Sequence, residues 1–424
     1  MSSALLPEVA PAPTRRYDLD WIRVGAFFLL ILYHVGMLYV SWDFHVKSPR
    51  IVEAIQPLMM LTNPWRLTLL FLVSGAATRF MVEGFAARGG HPGRRLAGSR
   101  LLRLLPPLLF GMFVIVPPQS YYEVLEALKG LGVADPAHSP YLQNFWVKYA
   151  TASGNWCDDT GCLTTPTWNH LWFVAYLLPY GLIVALLVGL GGRPLGALER
   201  GLERVLSGWG LLIWPIVWFA VLRLTLAPLF EITHALTDDW YNHALSFSAY
   251  LLGFLIARSE GLRAGFIHMR RPALILAVLG WAGWATYAWI WRADDAVPPE
   301  TLRMAMRLVY AVDQWTWIAA ILGYGARYLN RGGPVLRYLG TGVFPFYIVH
   351  QTAIIIAAWY LMPLNLPLGV EAALVIVATF SACFLGYEIA RRLGWPGLLL
   401  GVRPGAKPVR SNDRSTSDLA QARV

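Results

Sequence analysis

An arginine and a histidine eleven residues apart, Arg23 and His34, interrupt the first long apolar run of the chain, residues 21–39. In an α-helix eleven steps of ~100° make roughly three turns plus 20°, so both side chains face one way, ~16 Å apart along the axis. If the run crosses a bilayer whose hydrocarbon is ~30 Å thick, Arg23 is expected near one surface and His34 near the midplane. Ionisable groups at that depth are costly and face a bundle interior or a wet cavity, which makes them candidates for chemistry. An imidazole that titrates near neutrality suits a base that strips a proton from a hydroxyl. The plain alternatives are an Arg23 that snorkels to the headgroups and a His34 that is merely hydrogen-bonded.

A second histidine, His350, stands in another apolar run, Val343-Phe-Pro-Phe-Tyr-Ile-Val-His350. It is expected at similar depth and would share a cavity with His34 if their helices are neighbours. Arg100 and Arg103 lie three apart and share a helix face, a spacing that suits a phosphate-bearing donor; an ordinary basic cluster explains the charge equally well. His170 and Trp172, in Thr167-Trp-Asn-His-Leu-Trp172, would meet an acceptor at the start of another helix, unless they belong to an interfacial aromatic belt. Arg66, Arg223 and Arg307 fall within or at the ends of further apolar segments. They either pair with acids such as Glu53, Asp239 or Asp313, or receive an anionic group such as the free carboxylate of a dicarboxylic acyl chain. No HxxxH or HExxH spacing appears, so no metal site is expected. A Gly-x-Ser-x-Gly elbow and a Gly-rich phosphate loop are also absent, and Ser74 reads as a packing position.

The elements that must hold these residues follow from composition. Of 424 residues, 56% are hydrophobic and 14% charged, and mean hydropathy is +0.48. Apolar runs of about 20 residues recur between charged loops, as expected of an all-α polytopic transmembrane bundle of about ten helices. The net charge of +10 raises the question of nucleic acid, but its distribution excludes that reading. Alternate loops counted from the N-terminus carry 24 Lys and Arg and the opposite set 6, which places both termini in the cytoplasm. The organisation is then a cytoplasmic segment 1–20, one membrane domain 21–390, and a basic tail 391–424 expected to be disordered. No cleavable signal peptide is apparent. The longest outer loop, about residues 120–167, is rich in Tyr and Trp, a composition shared by sugar-stacking surfaces and interfacial belts. Cys157 and Cys162 lie close together in it and could form a local disulfide, whereas Cys383 in an apolar run reads as packing.

Taken in order, these motifs resemble the membrane O-acyltransferases of acyltransferase family 3. The resemblance rests on Arg23 through His34, on Phe71-Leu-Val-Ser-Gly75, on Arg100-x-x-Arg103, on His170-Leu-Trp172 and on Tyr347-Ile-Val-His350, and covers most of residues 15–390. Within the family the chain looks most like the glucan biosynthesis protein C group, which is associated with succinylating periplasmic glucans. It departs from many relatives at Phe173-Val-Ala-Tyr176, where an acidic residue often follows, so no carboxylate role transfers there. The resemblance implies a multi-pass protein of a bacterial inner membrane. Acyl-CoA would act as donor from the cytoplasm near Arg100 and Arg103, with no bound cofactor. A periplasmic or exported glycan would be the acceptor. His34 would act as base or carry the acyl group itself. A transporter coupling protons or anions to buried His and Arg is the competing class, though repeat symmetry and paired broken helices are lacking. An acyltransferase for a lipid-linked or secondary-metabolite acceptor would share the same machinery.

Overall fold

The computed structural model describes residues 15–158, 161–293 and 295–402; most of the expected C-terminal tail lies outside them. In chain order the helices are α1 (Tyr17–Gly36), α2 (Gln56–Met60), α3 (Arg66–Ala86), α4 (Pro92–Phe110), α5 (Pro117–Gly130), α6 (Phe145–Ala150) and α7 (Trp172–Leu190). They are followed by α8 (Gly192–Val205), α9 (Gly210–Thr225), α10 (Trp240–Ile256), α11 (Glu260–Ile290), α12 (Glu300–Tyr328), α13 (Pro334–Leu361) and α14 (Leu368–Ala390). All ten segments expected from the apolar runs are helical. Among the described residues seven helical stretches are long and apolar enough to cross a membrane, or eight if α8 and α9, bent by 109°, count as one span. The 17-residue α10 and the charge-bearing α12 complete the ten without meeting both criteria. The amphipathic α8 was not expected from the sequence; its leucines alternate with Arg200, Arg204, Glu199 and Glu203 at helical spacing.

The first helix is the hub. It packs against α3, α12, α13 and α14, so the apolar run that carries Arg23 and His34 is enclosed on several sides. Two glycines set how closely α3 and α10 approach. A Cβ on Gly75 would fall 1.8 Å from the Tyr250 carbonyl oxygen, and one on Gly253 would fall 1.9 Å from that of Leu72. Only glycine permits that contact, so Gly75 and Gly253 lie on a close-packed seam.

The sequence places His34 halfway along a helix spanning about 21–40, but α1 begins at Tyr17 and stops at Gly36. His34 therefore sits in its last turn. Just beyond that turn the Lys47 ammonium donates to the carbonyls of Met37 (2.8 Å), Trp42 (2.5 Å) and Val40. It thereby answers the carbonyl of the C-cap, Met37, and two carbonyls of the following loop, which it holds in place. Burial pushes the Lys47 ammonium below its ordinary pKa, opposed by Asp43 and Glu53.

Residues 120–167 are not an open loop. A π-helical turn, Gly111–Ile115, carries α4 on into α5, and α6 folds against it. Tyr121, Phe145, Tyr149 and Trp156 pack on one another in a small core of their own, so these aromatics are internal. Burial pushes the Tyr149 phenol up to about 12. Cys157 and Cys162 are disulfide-bonded across a hairpin of two short strands, β1 (Cys157–Asp158) and β2 (Gly161–Cys162). Cys383 is free and buried.

Candidate active site

At the end of the bundle toward which α1 runs, a cavity of about 770 Å³ is walled by His34, Tyr33, Arg66, His170, Trp172 and Gln351, among others. Three histidines far apart in sequence meet at its wall, His34 and His170 lining it and His350 fully buried beside them. His34 Nδ1 lies 2.9 Å from His350 Nε2, and His350 Nδ1 lies 2.7 Å from the Tyr347 carbonyl oxygen. A carbonyl only accepts, so His350 carries its proton on Nδ1 and offers the Nε2 lone pair. His34 then donates from Nδ1, which leaves its own Nε2 as the unprotonated nitrogen. This is a base held in one tautomer by a second group, the arrangement that activates a hydroxyl for acyl transfer. The helix pair α1 and α13 makes it possible, because the two histidines belong to touching helices.

His170 is buried and holds both ring nitrogens in hydrogen bonds. Its Nε2 donates to the Ile348 carbonyl (3.0 Å), and its Nδ1 accepts from Gln119 (3.2 Å). Gln119 also donates to Thr352 (2.7 Å) and accepts from Asn169 and Gln351 (both 3.1 Å). Gln351 donates to His45 Nε2 (2.9 Å), and His45 Nδ1 donates to the Glu123 carboxylate (2.6 Å). Donors and acceptors alternate without conflict along this network, so it fixes the orientation of His170 beside His350, whose ring lies 5.0 Å away.

Arg66 is 5% exposed and stacks its guanidinium 3.3 Å over the ring of Tyr33, the neighbour of His34. Its Nη1 donates to Asn63 (3.2 Å), and its buried Nε has no hydrogen-bond partner. Among the described residues it makes no ion pair, so a cation whose charge is not answered by a carboxylate lines the cavity that holds His34. Such a group can stabilise negative charge that develops on a reacting oxygen.

The other expected site residues are placed elsewhere. Arg223 lies 3.4 Å over the Tyr310 ring and donates to Tyr241 (3.0 Å); Arg307 contacts the Met304 sulfur (3.3 Å). Neither lines the cavity, so the three arginines do not form one receptor. They do not pair with the expected acids either: Asp239 is taken by Tyr176 and Asn242, Glu53 by Gln56, and both Asp313 oxygens are buried without a partner. At the opposite end, Arg23 donates to the Gly340 carbonyl (3.0 Å), pairs with Asp20 (3.3 Å) and lines a cavity of about 630 Å³. Arg103 lines an adjoining cavity of about 690 Å³ with Arg88 and Arg95. Arg100, though three residues away, turns inward, is 7% exposed and donates to the Thr78 hydroxyl, so the expected shared face is split between core and cavity.

Sequence reasoning missed Gln119, Gln351, His45, Glu123 and His234. A polar amide inside an apolar run was an available signal for the two glutamines, whereas His45 and His234 sit in aperiodic loops that give none. Among the described residues no three His, Cys, Asp or Glu side chains are grouped to hold a metal ion.

Comparison with known proteins adds a consistent frame. Residues 16–388 match the family model of the acyltransferase 3 group, described as an acyltransferase domain. Two relatives named glucans biosynthesis protein C, from Escherichia coli strains SMS-3-5 / SECEC and O81 ED1a, are each 21% identical to the chain. Each match covers 96% of this chain and 99% of the relative. No solved structure matches.

Proposed function

The chain belongs to the acyltransferase 3 family and is a multi-pass membrane acyltransferase, and from that premise we propose that it moves an acyl group from acyl-CoA to a glycan hydroxyl. The His34–His350 pair carries this reading, because it leaves His34 Nε2 unprotonated in a cavity large enough for reactants. The acceptor hydroxyl gives its proton to Nε2 as its oxygen bonds to the thioester carbon. Arg66 faces the oxyanion so formed. The C–S bond then breaks, and the thiolate of CoA takes the proton back from His34, leaving an ester and a thiol with no net proton.

The two cavities where Arg23 and Arg103 lie, at the opposite end, suit the phosphates of the donor. The glucan-related names of the relatives support a glucan acceptor, at the outer face of a bacterial inner membrane if the basic loops face the cytoplasm. Arg66 is also compatible with an acyl group that ends in a carboxylate, succinyl being the simplest. The deciding experiment supplies purified protein in liposomes with succinyl-CoA or acetyl-CoA and a glucose oligosaccharide. CoA thiol release together with ester detected by mass spectrometry is expected, and lost in His34→Ala. Thiol release that is equal in that variant removes His34 from the chemistry; solute flux without thiol release would favour transport.

A further inference from the structure

A fourth histidine faces the cavity that the mechanism above does not use. His234 lies in the connection between α9 and α10, and with Thr233 and Ala235 it forms part of the wall that also holds His34. Its position is tightly specified. The carboxylate of Asp239, fully buried, accepts from the backbone N–H groups of Thr233 (3.3 Å) and His234 (3.1 Å), from the Tyr176 hydroxyl (2.5 Å) and from Asn242 (2.8 Å). The His234 carbonyl accepts from the Trp168 indole (2.8 Å), and its ring packs 4.1 Å from the Trp172 ring.

Within that connection His234, Leu236 and Asp238 have φ of 57°, 65° and 59°. Left-handed backbone at non-glycine residues is strained and persists only where the surroundings impose it. Here the surroundings hold an imidazole against the cavity, yet among the described residues neither of its ring nitrogens has a hydrogen-bond partner. Burial depresses its pKa, opposed by Asp239, so the ring is neutral and offers one donor and one acceptor. That pair matches a hydroxyl, which also donates and accepts. The cavity wall also carries Thr164, Thr167, Thr233 and Asn169, whereas His170 is held by Gln119 and the Ile348 carbonyl and His350 by His34 and the Tyr347 carbonyl.

We propose that His234 binds the acceptor, its imidazole hydrogen-bonding a sugar hydroxyl close to the one presented to His34. The residue thereby selects which hydroxyl is acylated, and the rigid connection that carries it is the acceptor-reading element of the cavity. This rests on the acceptor being a sugar, as in the function proposed above, and it is tested by binding, which needs no turnover.

The full-length protein in detergent micelles is titrated calorimetrically with a tetrasaccharide of glucose. His234→Phe keeps the ring packing on Trp172 without polar atoms, and His234→Gln keeps a donor and an acceptor. Affinity in the Phe variant is expected to fall about tenfold, the upper range for one lost hydrogen bond, with the Gln variant much closer to the original protein. Acyl-CoA binding stays unchanged in both, whereas a role confined to ring packing on Trp172 would disturb Gln more than Phe. Equal affinity in the Phe variant, or no binding of the tetrasaccharide by the original protein, overturns the assignment. Binding in the expected pattern with no acyl transfer from acyl-CoA would sink the acyl-transfer reading and leave the assignment of His234 standing.

Discussion

Arg66, in the cavity that holds His34, and the arginines at the other end of the bundle use charge in different ways. At the end where α1 begins, arginines meet carboxylates: Arg15 and Arg23 pair with Asp20, Arg16 with Asp18, Arg79 with Glu83 and Glu199, and Arg258 with Glu83. At the end where α1 stops, Arg50 pairs with Glu371 and His45 with Glu123, but Arg66, which lines the cavity, makes no ion pair among the described residues, and His34, His170 and His350 are held by one another, by Gln119 and by carbonyls. A paired arginine has its charge answered within the protein and contributes to position. An unpaired one, desolvated beside an orientated base, leaves its charge to be answered by what binds. The contrast supports the proposal that the chemistry occurs in the cavity holding His34 and that the other end anchors the helices and binds the donor.

The sharpest way to break that contrast is His34→Ala. Loss of a general base is expected to slow acyl transfer by about 10²–10⁴-fold, measured as CoA thiol release with the protein still folded. Undiminished turnover would end the claim for the outer cavity. Next, Arg66→Gln should lower turnover by about 10²–10³-fold if Arg66 faces a developing oxyanion. The inner-end control, Arg258→Gln, removes a pair whose arginine is 59% exposed, and exposed pairs contribute only about 0–1 kcal/mol. Equal loss in the two variants would erase the difference between the ends.

A smaller effect is expected from His350→Phe, which leaves the His34 Nδ1–H without its acceptor. An unsatisfied buried donor costs about 1–3 kcal/mol, so the rate should fall less than in His34→Ala while substrate binding persists. A fall as deep as in His34→Ala would make the two histidines one catalytic unit rather than base and positioning residue.

The smallest effect is one of pH. Burial lowers the His234 pKa in the folded protein, so the neutral ring is favoured there. Its contribution to stability is complete above the unfolded value of about 6.5 and is lost as pH falls below it. His234→Gln should therefore flatten the drop in melting temperature between about pH 6.5 and 5, and an identical pH profile would contradict the neutral ring.

Much of this was legible in residue order because the bilayer constrains it so strongly. Where lipid leaves backbone groups no other partner, twenty apolar residues must be helical, and all ten expected segments are. Histidine and arginine within such runs stand out on cost alone, which is how His34, His350 and Arg66 were found. The misreadings share one origin: each needed a partner distant in sequence. The segment after α1 is held by Lys47 on the Met37 and Trp42 carbonyls, and Tyr121, Phe145, Tyr149 and Trp156 of residues 120–167 pack on one another. Arg100 and Arg103 part company because Thr78 of α3 receives only the first.

By itself, then, the sequence determined the helical class, the family and the unusual price of burying His34 and Arg66, since these depend on composition and local spacing. Tertiary structure alone decided which of the ionisable residues share a cavity, which nitrogen of each histidine carries the proton, and that Arg223 and Arg307 stand apart. Those depend on contacts between α1, α3 and α13 and on a connection, pinned by Asp239, that brings His234 to face them. Periodicity carries no record of such contacts, because it describes one element at a time.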